Sequence, residues 1–144
     1  VIGSRPVDIG LDDGPAGDLD GLVCFDALHH VNSDREKILE VLSSMQRRVR
    51  PGGMVLVSLL ADIDYGQGGG PANRLMVSTE EAERLLDRAF AQAEPLRRKC
   101  TEVRFDQTMN LDPMTGRMVQ TYYKATRVIR LFQLAGSAQL MASA

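Results

Sequence analysis

The sequence predicts an α/β fold with a mixed sheet of about four strands, two of them parallel and joined by a helix, the others forming a C-terminal antiparallel hairpin. Two short, mainly apolar runs, Leu19–Ala27 and Met54–Ala61, flank a segment with helical apolar spacing. Strand, helix and strand within about forty residues make a parallel βαβ unit with a right-handed crossover. Two later extended segments, Lys99–Met109 and Met118–Ile129, are separated by Asp112, Pro113 and Gly116, turn formers that send the chain back on itself.

Taken in order, residues 1–18 hold Gly3, Gly10, Gly14, Gly17, Pro6 and Pro15 among aspartates and read as an acidic loop. Leu22, Val23, Cys24 and Phe25 follow together, as in a parallel strand buried on both faces. Ser33 and Glu36 form an S-x-x-E capping box ahead of Ile38, Leu39, Leu42, Met45 and Val49. Arg47, Arg48 and Arg50 suit the negative end of that helix, which Pro51, Gly52 and Gly53 are expected to stop. After the second strand comes a glycine-rich loop, Asp62–Val77. Ser78 and Glu81 then start another helix, with Ala82, Leu85, Leu86, Ala89 and Phe90 along one side and its end before Pro95. The tail, Arg130–Ala144, reads as a short helix or a frayed end.

Composition excludes several classes of function. The 144 residues are 44% hydrophobic and 25% charged, the balance of one globular domain. Net charge is −2 and no run of Lys or Arg carries a nucleic-acid footprint. No apolar stretch approaches the ~18 residues that span a bilayer, and no signal peptide is visible. Cys24 and Cys100 have no metal-ligand or disulfide spacing, so reduced thiols in a cytoplasmic compartment are the expectation. The acidic residues Asp8, Asp12, Asp13, Asp18 and Asp20 lack a calcium-loop spacing, and Asp12, Asp13 and Asp18 read as solvated charge. The chain opens on Val1 and not Met, and reads as a processed polypeptide or a piece of a longer one.

Phe25-Asp-Ala-Leu-His-His30, Arg48-Val-Arg-Pro-Gly-Gly53 and Ser78-Thr-Glu-Glu-Ala82, in this order among these elements, resemble the C-terminal half of class I S-adenosylmethionine-dependent methyltransferases. The resemblance covers about residues 5–129 and implies a partial Rossmann-like fold, with S-adenosylmethionine as cofactor and a small-molecule methyl acceptor. It places Asp8 against the adenine amino group and the Ile9 amide against the adenine ring. Phe25 and Asp26 would face the methionine part of the donor, in keeping with ligand binding at strand carboxyl ends. The family's first strand, its glycine-rich G-x-G loop and the acidic residue for the ribose do not precede Val1. Leu19–Ala27 is therefore expected at an exposed sheet edge, an association hazard covered by a second copy or a partner chain.

His29 and His30 are the only histidines, just past a strand end, where a neutral imidazole could take a proton from an acceptor hydroxyl or amine. Either could instead hold the turn or simply face solvent. Asp26 could hold the donor's amino group or make a structural hydrogen bond, since a buried carboxylate needs a partner. Asp64-Tyr-Gly-Gln-Gly-Gly-Gly70 matches a nucleotide-loop pattern literally, but no helix follows it directly and a loop on the substrate side is the better reading. A catalytically inactive, methyltransferase-like interaction subunit is the competing expectation for the whole chain.

Overall fold

The computed structural model describes residues 16–65 and 74–136, with side chains omitted at 106–110 and 118–122. The elements are β1 (Leu19–Cys24), α1 (Leu28–Val31), α2 (Arg35–Arg48), β2 (Val49–Asp64), α3 (Thr79–Ala89), β3 (Glu94–Leu111) and β4 (Met118–Gln133). Strands run in the order β1-β2-β4-β3. β1 is parallel to β2, and β4 lies antiparallel between β2 and β3. The mixed sheet, its parallel pair and its hairpin are those expected.

Local chemistry explains the boundaries. Asp34 caps α2, its side chain accepting from the Glu36 amide at 2.9 Å, so the cap sits one residue beyond Ser33. Asn32 shapes the approach, its Oδ1 accepting from the Asp34 amide at 2.9 Å. The unpredicted single turn α1 fills the space between β1 and this cap. Ser78 caps α3 as expected and accepts from the Glu81 amide at 3.1 Å. Ala82, Leu85, Leu86 and Phe90 are buried.

Helix α2 ends at Arg48, before the Pro-Gly-Gly turn, and Val49 already belongs to β2. The two glycines have different physical reasons. Gly52 has φ of +78°, a left-handed conformation that disfavours any Cβ. At Gly53 a Cβ would meet Val49 Cγ1 at 2.5 Å and the carbonyl oxygens of Asp20 and Arg50 at 2.7 and 2.9 Å, because β1 and the start of β2 converge there. Arg48 is buried and its guanidinium donates to the Asp18 carboxylate at 3.2 and 3.3 Å, which corrects the reading of Asp18 as solvated charge.

Both longer helices lie on one face of the sheet. Ile38, Leu42, Met45, Leu85 and Leu86 pack with Val55, Val57, Leu59, Val128 and Phe132 in one core. Phe90 stacks on Phe132 with centroids 4.2 Å apart. Glu83 of α3 bonds Arg98 of β3 and Arg130 of β4 on this same side. The alternate residues of the strands point to the other face, which no described helix covers.

That asymmetry corrects the expectation that β1 is buried on both faces. Val23 is 68% exposed, and the strand stops at Cys24, short of Ala27. β1 stands at the edge of the described sheet, as expected. Arg130–Gln133, read as part of the tail, belongs to β4. Residues 137–144 and the glycines at 66–70 lie outside the described residues.

Candidate functional site

The carboxyl ends of the two parallel strands meet the exit toward α1, and Asp26, Ser58 and Arg127 come together there. The chain leaves β1 through Asp26, which has φ of +53°, a conformation that Asp tolerates better than most residues. Its amide donates to Ser58 Oγ at 2.7 Å, and the Ser58 hydroxyl donates to Asp26 Oδ1 at 2.9 Å. Ser58 is completely buried, so these reciprocal bonds also satisfy a hydroxyl that water cannot reach.

The Asp26 carboxylate is held further by Arg127 of β4. Nε lies 3.0 Å from each carboxylate oxygen and a terminal nitrogen donates to Oδ2. Both side chains are about four-fifths buried, at 23% and 19% exposure. Hydrogen bonding to Asp26 is the main cause that raises the already high pKa of Arg127. With Ser58 and Arg127 both donating, most of the carboxylate's acceptor capacity is used. The Arg127 guanidinium also lies over the Phe25 ring at 5.0 Å and over Phe105 at 5.8 Å. Phe105 stacks on Tyr123 at 4.8 Å, and Tyr123 contacts Tyr65 at 5.2 Å.

His29 is buried on α1, and neither ring nitrogen has a hydrogen-bond partner among the described residues. Burial is the main cause that lowers its pKa, Arg74 lowers it further and Asp26 opposes them. The imidazole is therefore neutral near pH 7. His30 is exposed and its ring sits 3.8 Å from that of His29, tilted by 44°. The neighbouring segment is tied down: the Leu75 amide donates to the His29 carbonyl at 3.2 Å, and the Asp62 amide to the Val77 carbonyl at 2.8 Å.

The orphaned imidazole has a pH consequence with a defined sign. A histidine whose folded pKa lies below its unfolded value of 6.5 leaves stability intact above that pH, and stability falls as pH drops through the window below it. The expected loss is up to about 1.4 kcal/mol per pH unit inside the window. Urea midpoints measured from pH 7 to pH 5 should fall for the parent chain and flatten in His29→Leu; an equally steep fall in the variant would assign the effect elsewhere.

The structure thus brings Phe25, Asp26, His29 and His30 to one end of the parallel strands. Asp8 and Ile9 lie outside the described residues. Ser58 and Arg127 were not anticipated. Ser58 did carry a signal, a lone hydroxyl within the apolar run Met54–Ala61, whereas Arg127 is one of several arginines in its stretch and nothing local marks it. Cys24, beside this turn, is buried and its thiol is pushed up to about 11, which leaves it unreactive. Among the described residues no group of three His, Cys, Asp or Glu side chains could hold a metal. Two open clefts, about 570 and 520 Å³, are both lined by Ala93 and Ala135, the first also by Gly52 and the second by Pro51, at the opposite end of β2.

No family model and no curated protein matches the sequence. Solved structures do match, over about nine-tenths of the chain. A S-adenosylmethionine-dependent methyltransferase from Methanosarcina mazei is 11% identical with a TM-score of 0.58, over 91% of this chain and 66% of its own. The 1,6-didemethyltoxoflavin-N1-methyltransferase of Burkholderia thailandensis, solved with S-adenosylhomocysteine, is 18% identical with a TM-score of 0.53, over 90% and 49%. The [4+2]-cyclase SpnF is 12% identical with a TM-score of 0.53, over 92% and 56%. The chain therefore resembles class I S-adenosylmethionine-dependent methyltransferases in fold, and spans less than two thirds of the length of each of these three structures.

Proposed function

We propose that the chain is the C-terminal part of an enzyme that transfers a methyl group from S-adenosylmethionine to a small-molecule acceptor. The observation that carries this reading is the turn after β1, where Phe25, Asp26 and the orphaned His29 sit together at the carboxyl end of the parallel pair. A fold likeness alone does not choose the reaction, since one similar structure is a cyclase. The buried, unpartnered imidazole beside the strand ends supports methyl transfer as the reading.

Unpartnered nitrogens in a buried imidazole are what a site awaiting a polar ligand would hold, and in that respect the residues fit the donor. In this reading Phe25 and Asp26 hold the methionine part of the cofactor. Asp26 contributes chiefly its main chain, because its carboxylate is occupied by Arg127 and Ser58. Asp8 and Ile9 are assigned to the adenine. When bound, S-adenosylmethionine supplies an electrophilic methyl group on sulfur. Methyl transfer is an in-line displacement that depends mainly on positioning and on excluding water. The Arg127–Asp26–Ser58 network fixes the turn, and the half-buried aromatic row from Phe25 to Tyr65 keeps that end of the sheet dry. His29, kept neutral, or the exposed His30 takes the proton released by a hydroxyl or amine acceptor.

Calorimetric titration with S-adenosylmethionine tests this directly. One-site binding that weakens at least tenfold in Asp26→Ala is the expected result, and absence of any binding heat from the folded protein would sink the proposal.

A second reading has its own observation. Among the described residues β1 offers an edge with no strand beside it, with Val23 68% and Phe25 43% exposed, a template for a partner strand. In that reading the chain is a catalytically inactive subunit, paired through Leu19–Ala27 with a second copy or another chain. A stable monomer in light scattering would count against it.

A further inference from the structure

We propose that a small acid binds beside His29, its carboxylate held by Arg74 and by the phenol hydroxyls of Tyr65 and Tyr123, and that this acid is the methyl acceptor. The acceptor role rests on the methyl-transfer reading and deepens it, whereas the binding site stands on the residues themselves.

The chain brings these three donors to one end of β2. Tyr65 follows the last residue of that strand, and its ring lies 5.2 Å from that of Tyr123 of β4. Arg74 precedes Leu75, whose amide donates to the His29 carbonyl at 3.2 Å. The charge of Arg74 acts on both His29 and Tyr123, so its guanidinium stands within reach of the two. Among the described residues the half-buried Arg74 has no ion pair, and neither phenol hydroxyl has a hydrogen-bond partner.

Charge and protonation choose the ligand. Asp26 is the other charge that acts on His29 and Tyr123, and Arg127 already neutralises it. Asp62 spends its carboxylate on the amide and hydroxyl of Thr79, at 3.2 and 2.6 Å. Asp64 pairs in register with Lys124, which alternates with Tyr123 and so faces the other side of the sheet. Arg74 is thus left as a cation without a counter-charge among the described residues. Burial, and then the Asp26 charge, raise the pKa of Tyr123 against the opposing effect of Arg74, and burial is the main cause that raises that of Tyr65. Both phenols keep their protons at neutral pH. One guanidinium and two hydroxyls match the acceptor oxygens of a carboxylate. The imidazole beside them, buried with both nitrogens unclaimed, is the independent sign of a polar ligand.

With the carboxylate so held, a hydroxyl or amine at the other end of the acid meets His29. Its lone pair forms the bond to the methyl carbon as the carbon–sulfur bond breaks and that electron pair returns to sulfur, and its proton passes to a His29 nitrogen.

The test uses 4-hydroxybenzoate, whose flat body suits the row of rings from Phe25 to Tyr65, beside its neutral twin 4-hydroxybenzamide. Binding is followed by calorimetry and by the His29 ring signal in protein carrying 13C-labelled histidine. The acid should bind at least tenfold tighter than the amide, as one charge-assisted hydrogen-bonded pair provides, and should shift the His29 signal. Arg74→Gln, at a side chain with no ion pair to lose, should abolish the preference, and Tyr123→Phe should weaken the acid about fivefold. Arg47→Gln, exposed at the far end of α2, should change nothing. Equal binding of acid and amide, no binding of either, or an unchanged preference in Arg74→Gln would overturn the proposal. The acid should also bind with S-adenosylhomocysteine present. Displacement by S-adenosylhomocysteine would show that Arg74 takes the donor's own carboxylate, and would overturn the acceptor role while leaving methyl transfer intact. A chain that binds the acid through Arg74 but no S-adenosylmethionine would instead sink the methyl-transfer reading, and the acceptor role with it.

Discussion

Arg127→Gln is expected to destabilise the protein by about 2–3 kcal/mol, because it leaves the Asp26 carboxylate four-fifths buried with Ser58 as its remaining donor. The full cost of an unpaired buried charge is about 3–5 kcal/mol, and the residual exposure of both side chains reduces it. In urea this corresponds to a midpoint lower by roughly 1–2 M at an ordinary denaturant slope. Asp26→Asn should recover part of the loss in the Arg127→Gln background, since an amide keeps the shape, tolerates the positive φ and needs no counter-charge. A cycle of these two substitutions should give a coupling above about 1 kcal/mol; additive effects would show that the ion pair does not hold the turn. Arg127 is a positioning residue, and it acts on the site through Asp26.

The second large effect belongs to Gly53. Gly53→Ala places a methyl group within 3 Å of two backbone carbonyl oxygens on converging segments, and neither can rotate away as a side chain would. Overpacking of this kind costs about 1–3 kcal/mol, and the upper part of that range is expected because backbone must move. Gly52→Ala, where a Cβ meets only the Arg50 guanidinium in ordinary contact at 3.9 Å and the left-handed φ is the obstacle, should cost about 1–2 kcal/mol. Thermal unfolding of the two variants distinguishes the causes. If Gly52→Ala were the more damaging, conformation and not close approach would be the reason for the motif.

What could be read in the sequence follows the range of the interactions involved. Ser78 and Glu81 are three residues apart, and their cap was legible. So was the parallel pair, because its apolar runs and the helix between them are contiguous. Asp34 was missed for a local reason: three candidate caps, Asn32, Ser33 and Asp34, stand in a row, and packing of Ile38 and Leu42 against β2 decides the phase. Pro51 to Gly53 read as the helix stop, with Val49 and Arg50 still helical, because proline and glycine end helices, yet the residues after Arg48 are drawn out by pairing of Leu19 with Val49. The partners of Asp26 lie 32 and 101 residues away and left no local pattern. The open face was hidden for another reason. Ile129 and Leu131 are as apolar as Val128 and Phe132, and composition does not say which side carries the helices.

The place of β4 has a consequence for how the molecule is made. The last of the described strands lies in the middle of the sheet, bonded to β2 on one side and β3 on the other. Until it arrives, β2 has only β1 beside it and β3 has no described partner, so growth from the amino end yields no completed sheet. The pairing of β2 with β4 closes across the segment that holds α3 and β3, and the entropy of that closure must be met before the contacts reward it. The described sheet is thus complete only once β4 is in place, and until then β2 and β3 each carry an edge that β4 will cover.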